Sequence, residues 1–84
     1  MEVFLTSEAD LEFLALDVVI KTRVKEVFKR LEKWPSVSGM KSLGYEWRGY
    51  SRIRTGRYRI IFKVEGGVIS VVKIDDRKDV YKKR

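Results

Sequence analysis

The chain reads as a small two-layer α+β domain: an N-terminal strand, a helical hairpin, then a three-stranded antiparallel meander. Three observations predict it. Apolar residues recur at helical spacing from Ile20 to Leu31, apolar and charged residues alternate from Tyr50 to Phe62, and glycine-bearing turns interrupt the second half at Thr55-Gly56 and Glu65-Gly66-Gly67. A period of 3.6 marks amphipathic helix and a period of two marks half-buried strand. One sheet covered on one face by helices is the economical way to bury both apolar surfaces.

Val3-Phe4-Leu5 is a short apolar run suited to a first strand. Ser7 followed by Asp10 resembles a capping box, which predicts a short helix over about residues 8–16 with Leu11, Leu14 and Ala15 as its buried stripe. Asp17 is a good N-cap for a second helix, in which Ile20, Val24, Val27, Phe28 and Leu31 form one apolar face. That helix stops at Trp34, because a residue preceding proline is pushed out of helical geometry. Residues 36–49 carry Gly39, Gly44 and Gly49 and read as a loop. Strands follow at about 50–54, 57–64 and 68–75, with a polar tail from Asp75 that has room for one helical turn. For the second turn a three-residue loop setting Val64 opposite Val68 is preferred. It keeps Lys73 on the charged face, whereas a Gly66-Gly67 loop would turn the ammonium into the core.

Eighty-four residues are enough for one core, so a single domain over residues 1–84 is expected. Two tryptophans, four tyrosines and four phenylalanines within a 44% hydrophobic chain argue for a folded state. The absence of cysteine rules out disulfide, thiolate and zinc–thiolate chemistry, and the absence of histidine removes the commonest general base and metal ligand. No cofactor or metal is expected. Neither a membrane-spanning run nor a signal peptide is evident, so cytoplasmic residence is the default expectation.

The net charge of +7 is unevenly placed: residues 1–40 hold six basic and seven acidic groups, residues 41–84 thirteen basic and five acidic. The first half reads as scaffold, the second as a surface for a polyanion, most simply nucleic acid. With Thr55-Gly56 as the loop, Arg54 would pair with Arg57 and Arg52 with Arg59, all four guanidiniums emerging on one side. Ile53, Tyr58, Ile60 and Phe62 would point to the other. Directly opposed like charges destabilise a sheet. A merely solubilising face would more naturally mix signs, so an anionic ligand is the sharper reading, and guanidinium suits bidentate phosphate contact.

The block from Tyr50 to Phe62, the closing Arg77-Lys78-Asp79-Val80-Tyr81 and, more weakly, Lys41-Ser42-Leu43 resemble the RelE/ParE toxin superfamily of type II toxin–antitoxin modules. The resemblance spans essentially the whole chain and implies the RelE-like microbial ribonuclease fold. For RelE-like members it implies a ribosome-dependent endoribonuclease that cuts messenger RNA in the ribosomal A site, restrained by a cognate antitoxin. By that resemblance Arg52, Arg54 and Arg59 would stabilise the phosphate in the transition state, and Tyr81 would stack on a base or take part in proton transfer. Lys41, Arg57, Lys73, Arg77 and Lys78 would contact RNA. Asp76 stands where many relatives carry a histidine, leaving Tyr81, Lys41, Glu46, Asp75 and Asp76 as the groups available for proton transfer. Two alternatives stay open: a ParE-like inhibitor of DNA gyrase without ribonuclease activity, and an inactive relative kept as a binding module. For Trp34 and Trp47, packing is the first expectation, with base stacking open to Trp47.

Overall fold

In the computed structural model the described residues are 1–76. Tyr81, Arg77 and Lys78, together with any helical turn in the tail, lie outside them. The order of elements is β1 (Glu2–Leu5), α1 (Ser7–Leu14), α2 (Val18–Leu31), β2 (Lys41–Ser42), a 3-10 turn (Tyr45–Trp47), β3 (Ser51–Thr55), β4 (Tyr58–Glu65) and β5 (Val68–Asp76). The expected meander is present, inside a larger sheet of order β1-β5-β4-β3-β2. β1 runs parallel to β5 at one edge, and the short β2 extends the other edge from within the stretch expected to be loop.

The second helix forms as its periodicity requires. The Asp17 carboxylate accepts the Ile20 N–H at 3.0 Å, capping the start. Val24, Val27 and Leu31 are buried, with Ile20 and Phe28 partly so. They pack on Ile53, Ile60, Phe62, Ile69, Val71 and Ile74 of the sheet, and Trp34 closes this core edge-on to Phe62 with ring centroids 6.1 Å apart.

The first helix departs from expectation. Its N-cap is Thr6, whose hydroxyl accepts the Ala9 N–H at 3.2 Å, so no Ser7–Asp10 box forms. Leu11 and Leu14 are 69% and 57% exposed, and the inward stripe is Ala9, Phe13 and Leu16. The reason lies in β5. Beyond Val71 that strand has no β1 partner, and Glu12 accepts the Ile74 N–H at 2.7 Å. A buried edge N–H left without a partner is costly, so the helix turns Glu12 inward.

Both hairpins differ from expectation by their loops. Thr55 pairs with Tyr58, which leaves Gly56 and Arg57 as the first loop, with Gly56 at φ 60°. Glycine in the first loop position is what a II′-type turn needs, so Thr55 remains a strand residue. In consequence Arg54 faces Arg59 rather than Arg57, and Arg52 faces Ile61 rather than Arg59. The second loop is Gly66-Gly67, with Glu65 opposite Val68 and Val64 opposite Ile69. The burial of Lys73 that such a loop threatens is avoided by a bulge. Phe62 faces Val71 but Ile61 faces Lys73, so Val72 is an extra residue and alternation restarts beyond it.

Candidate functional site: a basic face on the open side of the sheet

Residues opposed across a ladder share a face, so the register defines the surface turned away from the helices. One row across it is Lys41, Arg52, Ile61 and Lys73. The next is Arg54, Arg59 and Asp75. Ile53, Ile60 and Ile74 alternate with these rows and point into the core. Arg52, Arg54 and Arg59 therefore lie together as the alternation predicted, whereas Arg57, expected beside them, stands in the turn and in neither row. The corrected register moves each partner on β4 by two places, and a shift of two preserves the face. Ile61 is fully buried despite lying on this side, flanked in its row by Arg52 and Lys73.

The cations differ in what they engage. Lys41 and Arg54 are exposed, and among the described residues neither forms an ion pair. Arg59 donates from Nε and Nη2 to the two carboxylate oxygens of Asp75, at 3.2 and 3.1 Å. Arg57, in the turn, donates to Asp76 at 3.1 Å. The Lys73 ammonium bonds Glu12 at 2.8 Å and lies 3.5 Å from Glu8. The hydrogen bond it donates to Glu12 raises its pKa above the ordinary 10.5, partial burial pulls the other way, and the charges of Glu12 and Glu8 add to the rise. Lys73 thus ties β5 to α1 instead of standing free beside Arg59.

Aromatic groups gather in and just after the 3-10 turn that precedes β3. Trp47 stands edge-on to Tyr50 with centroids 5.3 Å apart, and the Lys63 ammonium lies 5.4 Å from the Tyr50 ring centroid. Tyr45, which sequence reasoning passed over, is 94% exposed with a φ of 54°. A bulky residue at positive φ is an outlier of the kind that gathers at binding sites. Its chemistry is visible in the sequence but its backbone is not. Asp75, weighed for proton transfer, is instead the partner of Arg59.

The two-layer α+β arrangement is that of solved RelE-like toxin structures. The chain is similar to the RelBE2 toxin–antitoxin complex of Mycobacterium tuberculosis, with 25% identity, a TM-score of 0.79, and 90% of each chain covered. It is similar in fold to the RelB–RelE antitoxin–toxin complex of Methanococcus jannaschii, with 22% identity, a TM-score of 0.76, and 95% of this chain and 96% of that one covered. It is likewise similar in fold to the isolated E. coli RelE toxin, with 18% identity, a TM-score of 0.75, and coverage of 98% and 92%. No curated protein matches the chain significantly. The family model for the ParE toxin of type II toxin–antitoxin systems matches residues 5–81. The chain belongs to that family and is a type II toxin of the RelE/ParE superfamily.

Proposed function

We propose that this toxin is a ribosome-dependent endoribonuclease that cuts messenger RNA without a metal ion and is held inactive by a cognate antitoxin. The observation that carries the reading is the cluster Lys41, Arg52 and Arg54 on one open face, Lys41 and Arg52 directly paired across β2 and β3. In the reaction the RNA 2′-oxygen bonds to the adjacent phosphorus as the bond to the 5′-oxygen breaks. A cyclic phosphate and a 5′-hydroxyl result, with one proton lost from the 2′-hydroxyl and one gained by the leaving oxygen. Fixed cations beside the phosphate stabilise the added charge with no reorganisation during the reaction. Arginine does not deprotonate in proteins, so Arg52 and Arg54 serve charge and position, and proton transfer falls to other groups, Tyr81 among them.

The antitoxin is expected to cover the basic face. Two of the similar structures were solved as toxin–antitoxin complexes, which supports such a partner. No helix among the described residues is long and apolar enough to cross a membrane. Cell-free translation with 5′-end mapping of the transcript tests the proposal. Discrete cuts in ribosome-bound message are expected, and intact message would reject it.

A second reading, inhibition of DNA gyrase without catalysis, is favoured by one observation: Arg59, assigned to the transition state, is occupied by Asp75. Loss of gyrase supercoiling with messages left intact would select it.

A further inference from the structure

We propose that Asp75 is a built-in counterion for Arg59, holding in the free toxin the place that a substrate phosphate takes in the complex. Nucleic acid would then bind by exchanging the carboxylate for phosphate. The inference deepens the proposed function and rests on its reading of the open face as an RNA-contacting surface.

The register brings the pair together, because Asp75 is the direct cross-strand partner of Arg59. On its other side Arg59 directly opposes Arg54. Like charges so placed repel, and a carboxylate next in the row offsets the repulsion. Asp75 uses both oxygens on the Nε and Nη2 donors of the guanidinium, one of the bidentate edges a phosphate would take.

Three features make the carboxylate exchangeable. Among the described residues its oxygens have no hydrogen-bond partner besides Arg59. The pair is reachable from solvent, the two side chains being 26% and 14% exposed. Arg54, directly opposite Arg59, and Lys41 on the same face are exposed to the same polyanion. Lys73 is the contrast: its partner Glu12 is itself anchored to β5 by accepting the Ile74 N–H on its other oxygen. An ion pair that is only structural weakens the fold when removed and leaves RNA affinity alone. A counterion that must be displaced lowers affinity, so its loss raises it.

The test uses the full chain and a single-stranded oligoribonucleotide with 2′-O-methyl groups, which cannot be cut. Affinity is measured across a salt series for the wild type, Asp75→Asn, Arg59→Ala/Asp75→Asn, and Asp10→Asn as a control that removes one exposed acidic charge from α1. Asp75→Asn is expected to bind roughly tenfold tighter at low salt, because the phosphate no longer has to displace a carboxylate from Arg59. The gain should vanish in the double variant and be small in Asp10→Asn. Equal affinity of Asp75→Asn and wild type, an equal gain without Arg59, or no binding by any variant would each overturn the proposal. Because Asp75→Asn could unfold, the Arg59 Nε–H resonance of the wild type is followed as well. It should shift as oligonucleotide saturates, and a bound complex with that resonance unmoved overturns the exchange. The probe cannot be cleaved, so failure of the ribonuclease reading shows separately, in the translation assay.

Discussion

Glu12 joins two layers of the fold through Ile74: one carboxylate oxygen accepts the Ile74 N–H at 2.7 Å while the other accepts the Lys73 ammonium at 2.8 Å. A single side chain on α1 thereby closes the part of the β5 edge that β1 leaves unpaired. Glu12→Ala should lower stability by about 1–3 kcal/mol, the usual cost of leaving such groups unsatisfied. Glu12→Gln retains an acceptor for the N–H and should cost less. Urea unfolding of both variants checks the order.

The same contact has a pH signature. The Lys73 pKa is raised in the folded protein above its ordinary 10.5, chiefly by the hydrogen bond to Glu12. Its stabilisation is therefore fully present below pH 10.5 and is lost as pH rises through the raised value. Comparing wild type with Lys73→Met by denaturant unfolding subtracts the other alkaline titrations. The wild-type advantage should hold at neutral pH and shrink only above the ordinary lysine range. An advantage unchanged at high pH would show that the charge contributes nothing.

Neighbouring positions on β3 and β4 should respond oppositely to truncation. Ile60 is completely buried, and Ile60→Ala should cost roughly 2–5 kcal/mol. Arg54 is exposed, and Arg54→Ala should stay within about 0.5 kcal/mol of wild type. Melting of the two purified variants decides it, and similar losses would mean that the faces are reversed.

Activity should follow the opposite order. If the open face stabilises the reacting phosphate, Arg54→Ala should slow message cleavage roughly 100- to 1000-fold at unchanged stability. Arg59→Ala should combine lost activity with lost stability, because it strands the Asp75 carboxylate. Mapped cleavage rates beside unfolding midpoints distinguish the two.

The start of α2 offers a local check. Asp17→Ala removes the acceptor of the Ile20 N–H and should cost about 1 kcal/mol, whereas Asp17→Asn, also a good cap, should cost little.

Much of this was legible in the residues. The stripe from Ile20 to Leu31, the Asp17 cap and the alternation around Gly56 are local patterns, and each has one face that can be buried. Parity along a strand survives a register change of two. The gathering of Arg52, Arg54 and Arg59 on one face was therefore settled by the chain alone, although the pairing within it was not. What required the tertiary structure were choices between elements distant in sequence. α1 could bury Leu11 and Leu14 or Ala9 and Phe13, and the unpaired N–H of Ile74 sixty-two residues away from Glu12 chose the second. A bulge at Val72 decided where Lys73 points, and cross-strand partnership decided that Asp75 neutralises Arg59. Periodicity reports which side a residue faces. Which group it meets there depends on register, edges and hydrogen-bond satisfaction, and these exist only once the layers are assembled.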